Sequence, residues 1–127
     1  MTTIKTYNGR NEGTFYIQSK GNYAGRPLKD PIPNCFVVST DVENAFERAY
    51  ALFVSGAYKR DIIGSVIPFI HKRNVERQLI PELQSHFSNL NQLEAVRLMD
   101  ENIAIMKEKI RLMEQMKIAM AKKYLKK

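Results

Sequence analysis

NQLEAVRLMDENIAIMKEKIRLMEQMKIAMAKKYLK, residues Asn91 to Lys126, is the longest uninterrupted pattern in the chain and contains neither glycine nor proline. Val96, Met99, Ile103, Met106, Ile110, Met113, Met120 and Tyr124 recur in it at alternating gaps of three and four, with Lys117 in the one missing place. That is heptad spacing and predicts an α-helix with an apolar seam. At 1.5 Å of rise per residue the helix would run about 54 Å. A rod of that length needs partners along its apolar side, supplied either by earlier helices or by another copy of the chain.

The seam is wider than that of a two-stranded zipper. Leu98, Ile105 and Leu112 form a second stripe beside it, with Ala95 and Met116 between. A broad arc of this kind suits a helix inside a bundle. Methionine takes four consecutive equivalent places, Met99, Met106, Met113 and Met120. Its flexible thioether chain packs adaptably, so a Met-rich groove for another protein is one reading. Ordinary core packing or self-association is the other, and self-association through Val96, Met99, Ile103, Met106, Ile110, Met113 and Met120 is the one adopted. Glu94, Glu101 and Glu108 fall on the solvated side, where the charges form no regular ladder and predict no pairing.

Upstream, Val75, Leu79, Leu83, Phe87 and Leu90 have helical spacing within Asn74–Leu90, with Pro81 inside. Either that helix kinks, or a new one starts with Pro81 in its first turn, where the missing amide does no harm. Residues 57–73 are ambiguous. A helix from Lys59 to Ile67, broken by Pro68, is favoured, and a strand is the alternative. Thr40 to Gly56 predicts a short helix. Thr40 and Glu43 have capping-box spacing, Val42, Phe46, Ala49 and Phe53 form the stripe with Ala45 and Leu52 beside it, and Gly56 supplies the left-handed stop.

Before that, β-forming runs alternate. Thr2–Tyr7, Thr14–Ser19 and Cys35–Ser39 predict strands. Phe15 and Ile17 would face one way, Tyr16 and Gln18 the other. The third run is apolar on both faces, as for a central or covered strand. Gly21–Asn34, with Pro27, Pro31 and Pro33, predicts a loop. The fold class expected is α+β in one domain: a β-rich part over 1–40 with a two- or three-stranded antiparallel sheet, short helices over 41–90, and a long amphipathic helix over 91–127.

The 127 residues, 44% hydrophobic and 26% charged, are enough for one domain with a real core. No apolar run approaches the length of a membrane span, and the first residues lack a signal-peptide core, so a cytoplasmic location is expected. The lone Cys35 excludes an internal disulfide and reads as a buried core residue. With two histidines and no zinc spacing, no phosphate loop and no nucleophile elbow, neither a metal, a cofactor nor an enzyme is predicted. An enzymatic reading would need Asp61 or His71 in a polar pocket.

The net charge is +7. Residues 1–40 carry five basic and two acidic side chains, residues 41–90 six and six, and residues 91–127 nine and five. After Glu114 there is no acid, only Lys117, Lys122, Lys123, Lys126 and Lys127. Basic ends around a neutral middle suit a polyanion. The same lysines also offset a helix dipole. In Gly21–Pro31, Tyr23 can stack on a base while Arg26 and Lys29 bind phosphate, unless Arg26 pairs with an acid such as Asp30. The candidate contacts for DNA or RNA are therefore Tyr23, Arg26, Lys29, Lys122, Lys123, Lys126 and Lys127.

Thr14–Ser19, then Gly25-Arg26-Pro27-Leu28, Pro31, Asn34 and Phe36, then Gly64-Ser65-Val66-Ile67-Pro68-Phe69 resemble an uncharacterised family of small proteins from gut Bacteroidetes and their phages and mobile elements. The resemblance covers residues 14–70 and leaves the long helix outside. It implies a phage or mobile-element role and carries no site residues. The function expected is a non-enzymatic accessory protein that forms homo-oligomers and binds nucleic acid. A protein-binding module, acting on a host or phage protein or built into a virion, is the alternative.

Overall fold

A computed structural model describes residues 1–86 and 89–126, so the places predicted for Phe87 and Lys127 lie outside the described residues. The chain forms two compact units, Met1–Ser88 and Asn89–Lys127.

The first unit is an α+β body. Its strands are β1 (Thr3–Thr6), β2 (Phe15–Gln18), β3 (Pro27–Leu28) and β4 (Cys35–Ser39), followed by helices α1 (Ala45–Ser55) and α2 (Lys72–Gln84). The sheet is antiparallel with order β1-β4-β2-β3. Alternation along the strands divides the side chains. Ile4, Phe15, Ile17, Phe36 and Val38 enter the main core with Ala45 and Ala49 of α1 and Val75, Leu79 and Leu83 of α2. Tyr16, Cys35 and Val37 point the other way, beneath Tyr7, Leu28 and Ile32. β4 is central, with Cys35 to Val38 all buried, as its two apolar faces require. Fully burying one such aliphatic side chain contributes about 2 kcal/mol, so the body's stability rests on this layer.

Three local expectations give way. Gly21–Asn34 is not wholly irregular, because Pro27 and Leu28 pair with Ile17 and Tyr16 as a short edge strand, a position where proline is tolerated. α1 starts at Ala45, not Thr40, behind a left-handed Asn44 with φ 58° and no side-chain cap. Thr40 is occupied elsewhere. Its hydroxyl accepts from the Val42 amide at 3.2 Å and meets the Thr2 hydroxyl at 2.8 Å, and its own amide donates to Thr14 Oγ1 at 3.1 Å. The capping box with Glu43 is thus replaced by a cross-link between β1, β2 and the end of β4. Gly56 does end the helix in the left-handed region, with φ 83°.

The helix predicted over Lys59–Ile67 is absent. Ile63 and Phe69 instead exchange both backbone hydrogen bonds, at 2.9 and 2.8 Å, across a tight bend. Gly64 stands there at φ +108°, where a Cβ would lie 2.4 Å from the Ile67 carbonyl oxygen. Only glycine fits such a place, and Pro68 denies a helix its amide. α2 then runs as one helix from Lys72, with Pro81 in its last turn rather than in the first turn of a second helix.

α1 and α2 are tied by Arg48. Its side chain is only 4% exposed, and its guanidinium donates to the Glu82 carbonyl, to Glu82 Oε2 at 3.0 Å, to the Ser85 carbonyl at 3.2 Å and to Ser85 Oγ at 3.0 Å. A cation here supplies the Ser85 carbonyl with a donor and adds one to the Glu82 carbonyl, which also accepts from the Ser85 amide and hydroxyl.

Tyr58 is 2% exposed and its hydroxyl has no hydrogen-bond partner among the described residues. Burial, and then the nearby Asp61 carboxylate, push its phenol far above the ordinary range, so it stays neutral. Tyr58→Phe deletes an unsatisfied polar atom and keeps the ring. Its unfolding free energy is expected to equal or exceed the parent's, as read by denaturant titration, because an unmade hydrogen bond has nothing to lose.

The second unit is α3 (Leu90–Leu125), 36 residues capped by the Asn89 side chain, which accepts from the Gln92 amide at 3.2 Å. Its solvated face pairs, although the charge spacing is no evidence of it. Arg97 bridges Glu94 and Glu101, and Arg111 pairs with Glu108. The bonded guanidinium of each holds the carboxyls of Glu94 and Glu108 below their ordinary range. No helix among the described residues is long and apolar enough to cross a membrane.

Candidate functional site

The glycine-rich turn after β2 is built on the body. Gln18 donates its amide to the Arg26 carbonyl at 2.9 Å and accepts from the Gly25 amide at 2.8 Å. Gly25 lies flat on the Tyr58 ring, where a Cβ would be 2.8 Å from Cδ2, at φ +98°. Close packing of backbone on ring fixes the turn and throws Tyr23 outward, 56% exposed. Arg26 stacks on it, with its guanidinium carbon 4.8 Å from the ring centroid and Nη2 3.5 Å from Gln18 Oε1. The pairing with Asp30 considered from sequence does not form; no ion pair of Arg26 occurs among the described residues. Tyr23 and Arg26 therefore offer an aromatic face beside an uncompensated cation.

Lys29 does not join them. It follows β3 on the helix-facing side, its ammonium 5.4 Å from the Phe46 ring centroid of α1. Arg26 precedes Pro27 on the opposite alternation, beside Gln18. One predicted patch is thus two, on the two sides of the sheet. Lys122 and Lys123 occupy the last turn of α3 and Lys126 its C-cap. They belong to the second unit, and Lys127 is outside the described residues.

Of the seven predicted self-association residues, Met99, Ile103, Met106, Ile110, Met113 and Met120 are exposed and Val96 is half-buried. Leu98, Ile105, Leu112 and Met116 are exposed as well, and no side chain of α3 is buried. The ion pairs of Arg97 and Arg111 occupy the opposite side. An apolar arc this continuous exceeds what a soluble surface ordinarily carries.

Asp61 and His71, the residues an enzymatic reading would need in a polar pocket, make separate contacts, and His71 lines a cavity. Asp61 bonds Arg77 of α2 at 2.5 Å, while His71 packs edge-on against Phe69, with ring centroids 5.4 Å apart. Among the described residues no cluster of three or more His, Cys, Asp or Glu could hold a metal ion. Cys35 is buried, and burial raises its thiol above the ordinary value, as suits an inert core residue.

Sequence reasoning missed one feature. Lys20 and Lys72 line a single cavity of about 320 Å³ with Thr6, Ser19, Phe36, Phe69, Ile70 and His71. A second cavity, of about 480 Å³, lies under Tyr7, Asn8, Gly9 and Pro31 to Pro33 and carries no charged side chain. Nothing in spacing signals the first, because its two lysines come from opposite ends of the body's sequence.

A family of unknown function, DUF6943, has a model that matches residues 3–123. The match runs through most of α3, so the long helix lies inside the family's extent and not beyond it, as the shorter resemblance implied. No curated protein and no solved structure matches the chain.

Proposed function

The chain belongs to the DUF6943 family, and from that premise we propose that it is a non-enzymatic accessory protein that assembles through α3 and holds nucleic acid with basic side chains. The observation that carries this reading is α3: 36 residues, none buried, with an apolar arc on one side and ion pairs on the other. Apolar area of that extent is stabilised by leaving water, and a second copy brings a complementary face in the same heptad register. The arc spans two adjacent stripes, which favours three or more helices over two.

Assembly also answers the scatter of basic groups. Within the first unit Tyr23 and Arg26 stand apart from Lys29, and the lysines of α3 belong to the second unit. Several copies multiply each weak contact, and linked contacts raise avidity without any new one. The charge totals, with the excess in residues 1–40 and 91–127, support a polyanion as the ligand. A phage or mobile-element setting inside a host cell is the context this reading adopts.

A titration of fluorescent single-stranded DNA and RNA against the full chain tests the ligand. Binding is expected at low salt and should weaken steeply as salt rises, since released counterions drive it. Tyr23→Ala with Arg26→Ala should weaken it severalfold. No association with either polymer at low salt would remove the nucleic-acid reading.

A second reading, a protein-binding module, draws on the bend between Ile63 and Phe69. Val66 is 89% exposed and Ile67 60%, an apolar tip on a backbone-braced hairpin. A stoichiometric protein partner that survives nuclease and high salt, and is lost in Val66→Asp, would favour it.

A further inference from the structure

We propose that the cavity between Lys20 and Lys72 is a binding site for a phosphate monoester on a small organic body. Its backbone is fixed first. The Gly21 amide donates to the Pro68 carbonyl at 2.8 Å and the Ile70 amide to the Ser19 carbonyl at 2.9 Å. These two bonds clamp the end of β2 against the segment entering α2, so Lys20 and Lys72 meet the same space.

Its chemistry is one-sided. No acid lines the cavity. Among the described residues neither lysine forms an ion pair. Thr6 and Ser19 line it too, and neither hydroxyl makes a hydrogen bond among the described residues. At its rim α2 begins, a 13-residue helix whose N-cap His71 makes no side-chain cap, and the amides of Lys72 and Arg73 find no acceptor among the described residues. Two ammonium groups, two hydroxyls and open amides suit a dianionic oxyanion.

The remaining surface sets the rest of the ligand. Phe36 and Ile70 are buried and Phe69 half-buried, and His71 is braced edge-on against Phe69. A cavity of about 320 Å³ reaches the size range of small-molecule sites and is roomier than a phosphate needs. An apolar or aromatic ring on the ester would lie against that wall. Two sources carry this chemistry: a free nucleoside monophosphate, and the phosphorylated end of a nucleic-acid strand. None of the pocket's residues belongs to the Tyr23–Arg26 turn or to α3, so the proposal does not depend on the assembly reading.

The test uses the full chain. Calorimetry with adenosine monophosphate reads the free source. Anisotropy with a short oligothymidine bearing a 5′-phosphate, against the same strand with a 5′-hydroxyl, reads the strand end. Saturable binding of the monophosphate, or at least a tenfold preference for the 5′-phosphate, is expected, and which of the two is seen identifies the source. Lys20→Ala with Lys72→Ala should reduce that binding at least tenfold. Both side chains are exposed, so the variant should keep its melting temperature and its solution mass. Lys59→Ala with Arg60→Ala, on the same unit but off the cavity, should leave binding unchanged. Absence of saturation together with equal affinity for both strands would overturn the proposal. Equal loss in the two double variants would overturn it too.

Discussion

Replacing Ile103 and Ile110 together with glutamate is expected to reduce the protein in solution to single chains of 14.7 kDa, from a parent mass several times that. Both residues lie on the heptad seam, one turn pair apart, where partner helices would enclose them. Each loses about 2 kcal/mol of apolar burial per chain, and each would place a carboxylate where water is excluded and no cation is fixed. Repeated in every chain of the assembly, the lost burial and the buried carboxylates act together against association. Light scattering coupled to size exclusion reads the outcome directly. Glu108→Gln, on the ion-paired side, serves as the control and should retain the parent mass. A parent that runs as one chain across the micromolar range would end the assembly reading, as would a double variant that keeps the parent mass.

The second large effect belongs to the body. Arg48→Ala is expected to destabilise it by about 3 kcal/mol, the scale of losing several hydrogen bonds from a buried charged donor, a sizeable part of the total for a domain this small. The melting temperature should fall by roughly 15 °C. The loss comes mainly from the Ser85 carbonyl, left without a donor among the described residues, and from the Glu82 carbonyl, left with only the Ser85 amide and hydroxyl at the end of α2. Glu82→Gln separates this from a simple ion pair. Glu82 is 37% exposed in its side chain, and the carbonyls keep their guanidinium, so that variant should lose less than 1 kcal/mol. If the two variants proved equally damaging, the carboxylate would be the essential partner and the capping account would fail.

What could be read in advance follows from where the information lies. β4 was legible because an apolar run with two buried faces has few alternatives, and α3 because its rhythm persists for 36 residues. Thr40 misled because its hydroxyl fits a helix cap and an inter-strand link equally well, and the choice is made by Thr2 and Thr14, distant in sequence. Ile62, Ile63, Val66, Ile67 and Ile70 have helical spacing, yet the backbone at Gly64 adopts a conformation that spacing does not encode. The pairing of Arg97 with Glu94 and Glu101 forms no regular ladder, yet single i,i+3 and i,i+4 pairs need none. The binding surfaces were the least legible. Lys29 and Arg26 are three apart but flank an edge strand in opposite directions, whereas Lys20 and Lys72 are distant in the chain and share a cavity. Alternation separates sequence neighbours, and strand clamping joins residues that sequence keeps apart.

The rims of the sheet bear on what assembly would risk. Gathering several bodies on one bundle raises their local concentration, a setting in which open strands zip together into aggregates. β1 offers only four residues at one rim and carries Lys5 there, and β3 offers two at the other, one of them Pro27, which has no amide to donate. Such short, charged and proline-blunted margins let these bodies crowd without fusing.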